Sequence, residues 1–143
     1  MTTSLTKWSP PGAESSNLAG TALDGLATGS NSARIPVTNP GLDLYCRVTV
    51  VLGSITPGTG ASITLRYLGY QASASASEDI VASGHQDSYT ALLNSGTGAK
   101  RMIFEMVRLY PFDGGFFLTN NAGVALALTG NAIYVQTYNE AIG

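Results

Sequence analysis

LDLYCRVTVVLGSI, residues 42–55, is the stretch whose reading decides the fold. Every second side chain is apolar: Leu42, Leu44, Cys46, Val48, Val50 and Leu52 share one face, while Asp43, Tyr45, Arg47 and Thr49 share the other. A period of two with β-branched residues describes a strand that buries one side and wets the other. The same pattern returns in SITLRYLGY, residues 62–70, where Ile63, Leu65 and Tyr67 oppose Thr64, Arg66 and Leu68. Between the two lies TPGTGA, residues 56–61, a Gly-rich turn. Two strands joined this way are expected to form a β-hairpin.

Working outward, further strands are expected at ARIPVTN (33–39), SYTALLN (88–94), KRMIFEMVRLYPF (100–112), FFLTNN (116–121) and AIYVQTYN (132–139). Pro36 confines the first of these to a sheet edge or a bulge. In residues 100–112, Met102, Phe104 and Met106 alternate with Ile103, Glu105 and Val107. AGVALALTGN, residues 122–131, connects the last two strands, and Asn120, Asn121 and Asn131 are expected to supply positive-φ turn positions. QASASASEDIVASGHQDS, residues 71–88, is a low-complexity loop. Seven or eight short strands with no helical period after residue 28 define an all-β antiparallel sandwich, with a jelly roll as one form of it. Residues 31–143 are assigned to that domain and residues 1–30 to an N-terminal arm, extended or short-helical. In the arm, Leu18, Ala22, Leu23 and Leu26 fall roughly on one helical face. Trp8 precedes Pro10-Pro11, which direct the chain away. Trp8 either packs on its own domain or docks on a neighbour, and the prolines favour docking. Removing residues 1–28 is then expected to leave a folded domain.

Composition narrows the function. Only 11% of the 143 residues are charged, the net charge is −2 and there are two lysines, Lys7 and Lys100. No basic stripe is available for nucleic acid. No apolar run has the length of a membrane span. A surface so poor in charge is weakly protected against association, which suggests cover by other subunits. The lone Cys46 lies in the apolar face and reads as a buried, inert thiol. MTTSLTKWSPPG has no signal-peptide character, so synthesis in the cytoplasm is expected.

Chemistry is hard to assemble. His85 is the only histidine; it sits two residues from Asp87 but in the low-complexity loop, a poor frame for a Ser-His-Asp triad. One Cys and one His cannot close a zinc site. Glu78, Asp79 and Asp87 lack the spacing of a calcium loop. GTGAKR, residues 96–101, lacks the full phosphate-loop pattern and precedes a strand. Glu105 is expected to pair with Arg101 or Arg108. Asp43, Glu105 and Asp113, the last in the DGG turn, are the candidates to weigh as a carboxylate pair. Tyr67, Tyr70, Tyr134 and Tyr138 offer a sugar platform or subunit contacts. No catalytic residue, cofactor or metal is assigned.

LAGTALDGLATGS (18–30), LDLYCRVTVVLGSITPGTGASITLRYL (42–68) and AKRMIFEMVRLYPFDGGFFLTNNAGVALALTGNAIYVQTYNE (99–140), in that order, resemble a group of small virion structural proteins of tailed bacteriophages. The resemblance spans roughly residues 8–140 and rests on framework and turn stretches. It implies a capsid cement or decoration protein on the outer capsid surface: non-enzymatic, bound to the major capsid protein, and assembled with copies of itself, as a homotrimer. Leu5, Trp8, Leu18, Leu23, Leu26, Tyr134 and Tyr138 are then the candidate contact residues. A tail or head-fibre module that binds a receptor or carbohydrate is the alternative. A hydrolase built on His85 is the third.

Overall fold

The computed structural model describes residues 6–71, 76–77, 87–109 and 114–142. Leu5, Glu78, Asp79, His85 and Asp113 lie outside the described residues. Two antiparallel sheets pack face to face as a β-sandwich, and no described residue is helical. One sheet has three strands in the order β7 (Gly98–Arg108), β3 (Tyr45–Ile55), β9 (Ala132–Tyr138). The other runs β2 (Ile35–Val37), β8 (Gly114–Asn121), β4 (Ser62–Gln71). Beyond β4 its edge is shared by β6 (Asp87–Leu92) and the two-residue β5 (Ala76–Ser77). A small ribbon joins the chain's two ends, β1 (Thr6–Trp8) against β10 (Glu140–Ile142).

The alternation in residues 46–52 builds the core. Cys46, Val48, Val50 and Leu52 are fully buried and face Ile63, Leu65, Phe116 and Leu118 of the other sheet. Each such side chain contributes about 1.5–3 kcal/mol by leaving water. Leu42 and Leu44, expected on the same face, are instead exposed. The strand begins only at Tyr45, because the Asn39 amide first ties off a loop: Nδ2 donates to the Asp43 carbonyl at 2.7 Å and Oδ1 accepts from the Asp43 N–H at 2.9 Å. Leu42 sits inside that loop with φ 53°.

The expected hairpin between residues 42–55 and 62–70 does not form. β3 pairs with β7 and β9, whereas β4 pairs with β8, β6 and β5. The two apolar faces meet across the core instead of lying side by side. Residues 56–61 therefore bridge two sheets, a gap of about 10 Å. From β6 to β9 every connection likewise changes sheet, so the chain order is woven through both layers.

The N-terminal segment belongs to this body. Residues 9–18 run along the free edge of β9 with a period of three. The N–H groups of Ser9, Gly12, Ser15 and Leu18 donate to the carbonyls of Asn139, Thr137, Val135 and Ile133 at 2.8–2.9 Å. Side-chain oxygens return the exchange: Ser9 Oγ, Ser15 Oγ and Asn17 Oδ1 accept from the N–H groups of Asn139, Val135 and Ile133. Three strap residues thus match two strand residues, and Pro10, Pro11 and Gly12 suit a winding that is neither helix nor strand. An edge that would otherwise invite another strand is closed.

Residues 19–27 then turn across the end of the sandwich through bonds three residues apart, Ala22 to Ala19, Asp24 to Thr21 and Leu26 to Leu23. They are consecutive turns and not the short helix that was one option. Gly20 and Gly25 take the positive φ these turns need. Leu23 is fully buried and Ala19 nearly so, both within the core. Residues 29–37 return along the edge of β8. Cutting at residue 28 would open the core at Leu23, so the expected stable remainder does not follow from this packing.

Asn120 and Asn131 are not positive-φ residues; Gly123 and Gly130 hold those turns. The two amides are buried staples. Asn120 Nδ2 donates to the Leu26 and Val124 carbonyls, and its Oδ1 accepts from the Ala122 N–H. Asn131 Nδ2 donates to Asp24 Oδ1 and the Ala127 carbonyl, while its Oδ1 accepts from the Gly53 N–H at 3.0 Å. Gly53 has no space for a side chain, since a Cβ there would stand 2.1 Å from the Thr129 carbonyl oxygen.

Candidate functional site

The outward face of the three-stranded sheet carries the side chains that alternate with the core set. It ends in a groove of about 420 Å³ lined by Trp8, Arg47, Glu105, Met106, Gln136 and Tyr138, among others. Each is placed by a separate backbone feature. β1 brings Trp8 over the end of the sheet by pairing with β10. Tyr45 and Tyr138 are cross-strand partners in β3 and β9. Their rings stack at 5.8 Å and 22°. Trp8 stands nearly perpendicular to both, 5.8 Å from Tyr45 and 5.5 Å from Tyr138. Such edge contacts add about 0.5–1.5 kcal/mol beyond area burial. Trp8 remains 53% exposed, so it is positioned but not covered.

Met106 enters through a bulge. The β3–β7 register runs Val48 to Phe104 and then Cys46 to Val107, so Glu105 and Met106 together face Arg47. An alternating strand would have sent Met106 inward with Phe104. The bulge turns both Glu105 and Met106 outward and leaves Val107 buried. Met106 takes φ 53°, a left-handed conformation costing about 1–2 kcal/mol for a residue with a side chain. Bulges of this kind redirect a side chain, and strain of this kind gathers at binding sites.

Glu105 pairs with Arg47, not with Arg101 or Arg108. Arg47 Nε and Nη2 meet the two carboxylate oxygens at 3.0 Å each. Cross-strand neighbours lie about 5 Å apart, whereas residues four apart along one strand are about 13 Å apart. The hydrogen bond and charge of Glu105 raise the Arg47 pKa further above its ordinary value. Gln136 Nε2 donates to the Gly12 carbonyl at 2.8 Å, linking the groove to the strap. Burial raises the Tyr138 phenol, partly offset by a hydrogen bond with the Met106 backbone.

Of the residues singled out in the sequence, Trp8 and Tyr138 meet in the groove. Tyr134 lies on the same face, half-buried, beside Thr49, Arg101 and Ile103. Leu18 and Leu26 pack partly buried against their own core, and Leu23 is enclosed by it. Tyr67 is buried beside Phe116 and offers no sugar platform. Tyr45, Arg47, Met106 and Gln136 were not foreseen. The available signal was the phase break in the apolar set, where Met102 and Phe104 are followed by Val107 and Leu109.

The opposite end of the sandwich is chemically different. Residues 56–61, 93–97 and 122–130 meet there, and none is charged. Two charged groups reach that end from outside these loops: Asp24, held by Asn131 at 2.8 Å, and the buried Lys100, whose ammonium donates to Asn94 Oδ1 and the Gly96 carbonyl. Leu92, opposite Ser62 at the start of β4, is 80% exposed, and Leu128 in the 122–131 loop is 78% exposed. No large apolar side chains are more exposed among the described residues.

Cys46 is fully buried, and burial pushes its thiol up to about 12, so it stays protonated and unreactive. Among the described residues no group of three or more His, Cys, Asp or Glu side chains is placed to hold a metal ion. No helix among them is long and apolar enough to cross a membrane. No protein-family model matches the chain, and no curated protein sequence matches it.

Proposed function

We propose that the chain is a non-enzymatic structural protein of a bacteriophage particle, a cement protein bound to the shell of the major capsid protein. The observation that carries this reading is the end whose loops contribute no charged residue of their own and that leaves Leu92 and Leu128 exposed. Interface centres are depleted of charged residues, and an end whose loops add no charged residue, with the Lys100 ammonium buried beneath them on Asn94 and Gly96, suits burial there. Burying two leucines supplies about 3–6 kcal/mol per copy, and many copies on a lattice make modest contacts effective together. A protein that binds the assembled shell and not its free subunits stabilises the shell by mass action. The N-terminal segment serves here as a strap that keeps the edges of each copy from pairing, so that association runs through the loop end. Self-association as a trimer belongs to the same reading.

The test is co-sedimentation of the purified chain with particles made without it, together with the temperature at which those particles release their genome. The wild-type chain should bind and raise that temperature. The double variant Leu92→Ser/Leu128→Ser should stay in the supernatant with its own unfolding midpoint little changed. Full binding by the double variant would refute docking through this end.

A further inference from the structure

The geometry points to the groove of Trp8, Tyr138, Met106, Arg47, Glu105 and Gln136 as a binding site for a neutral saccharide. Three observations carry it. First, the walls are apolar and rigid. Trp8 is fixed by two perpendicular ring contacts yet half open to water, and Met106 is thrust beside it by a strained bulge. A pyranose ring offers a matching apolar face of C–H groups. Second, the lip is polar but carries no net charge. The two-point fork between Arg47 and Glu105 cancels one charge against the other. It uses Nε and Nη2, so Nη1 and the Gln136 amide oxygen retain capacity for hydroxyl groups. An anionic ligand would find the guanidinium already engaged, and a cation would find the carboxylate engaged. Third, a groove of about 420 Å³ is in the range that holds a small ligand, of a few sugar units at most. Planar, hydrogen-bonding side chains around an aromatic wall are what a ligand with both apolar faces and hydroxyls requires.

This site lies at the far end of the body from Leu92 and Leu128, so a copy held by its loops keeps the groove open. The inference goes beyond the particle reading and stands without it.

Trp8 is the single tryptophan of the chain, so its emission reports on this groove alone. The full-length protein is titrated with short soluble oligomers of glucose, mannose, galactose and N-acetylglucosamine. Uronate-bearing and sulfated oligomers of equal length are run in parallel. At least one neutral series should shift the emission saturably. Tyr138→Ala should weaken that binding by about tenfold or more, the loss of one aromatic wall, and Leu128→Ser should leave it unchanged. Should Tyr138→Ala fail to fold, Met106→Gly keeps the bulge and removes the side chain, and it should weaken binding as well. Silence with every neutral series, preference for the charged series, or unchanged affinity in a folded groove variant would each overturn the proposal. A chain that binds sugar but not particles refutes the particle reading alone, and the converse refutes this one alone.

Discussion

Met106 shows how a single residue trades stability for placement. A glycine would hold φ 53° without the clash between Cβ and carbonyl. Met106→Gly should therefore raise stability by about 0.5–1 kcal/mol in denaturant unfolding while weakening the groove. A loss of stability instead would mean that the half-exposed side chain is held for packing. Asn131 is the opposite case. Replacing it by Ala strands the Gly53 N–H and Asp24 in a buried corner, and about 2–3 kcal/mol should be lost. Cys46 gives a pH signature. Its thiol titrates near 9.0 when unfolded and is raised to about 12 in the fold. The folded state keeps a proton that the unfolded state releases, so stability is fully present below about 9.0 and falls as pH rises toward about 12. The loss is on the order of 4 kcal/mol above that range. Cys46→Ala should flatten the alkaline arm of the unfolding curve. These residue roles were unevenly legible. An apolar period of two placed Cys46 inside, because burial follows alternation. The asparagine staples were not legible, because their partners are backbone groups up to 94 residues away and a carboxylate 107 residues away.

At the scale of elements, the strands were readable and their partners were not. Residues 45–55 and 62–71 form strands because their side chains alternate, but alternation does not say whether two faces pair edgewise or meet across a core. Here they meet across it, with Val48 and Val50 in the same core as Ile63 and Leu65. The bulge at residues 105–106 was visible only as a slip of phase. The strap was hidden for a physical reason: a period of three with serines and glycine matches neither helix nor strand, and its bonds go to the last strand of the chain. Deleting residues 1–18 should bare the β9 edge and shift the protein to larger species in light scattering. Unchanged size and midpoint would show that the edge needs no cover. Leu23→Ala, by contrast, acts on the core and should cost about 2–5 kcal/mol, with little change in size.

The whole molecule is a sandwich with unlike ends. One end gathers aromatic rings, a strained methionine and a neutralised ion pair; the other gathers uncharged loops with two bare leucines. Low charge in the sequence raised the expectation that some surface is covered, yet only the three-dimensional grouping of three distant loops shows where charged residues are missing. A particle component with one end held and one end open accommodates both features. Electron cryomicroscopy of particles reconstituted with the full-length chain tests this most directly. The account predicts density for the sandwich on the outer shell, with residues 56–61, 93–97 and 122–130 against the major capsid protein and Trp8 facing solvent. A shell without that density, or a sandwich seated with its Trp8 groove against the shell, would contradict it.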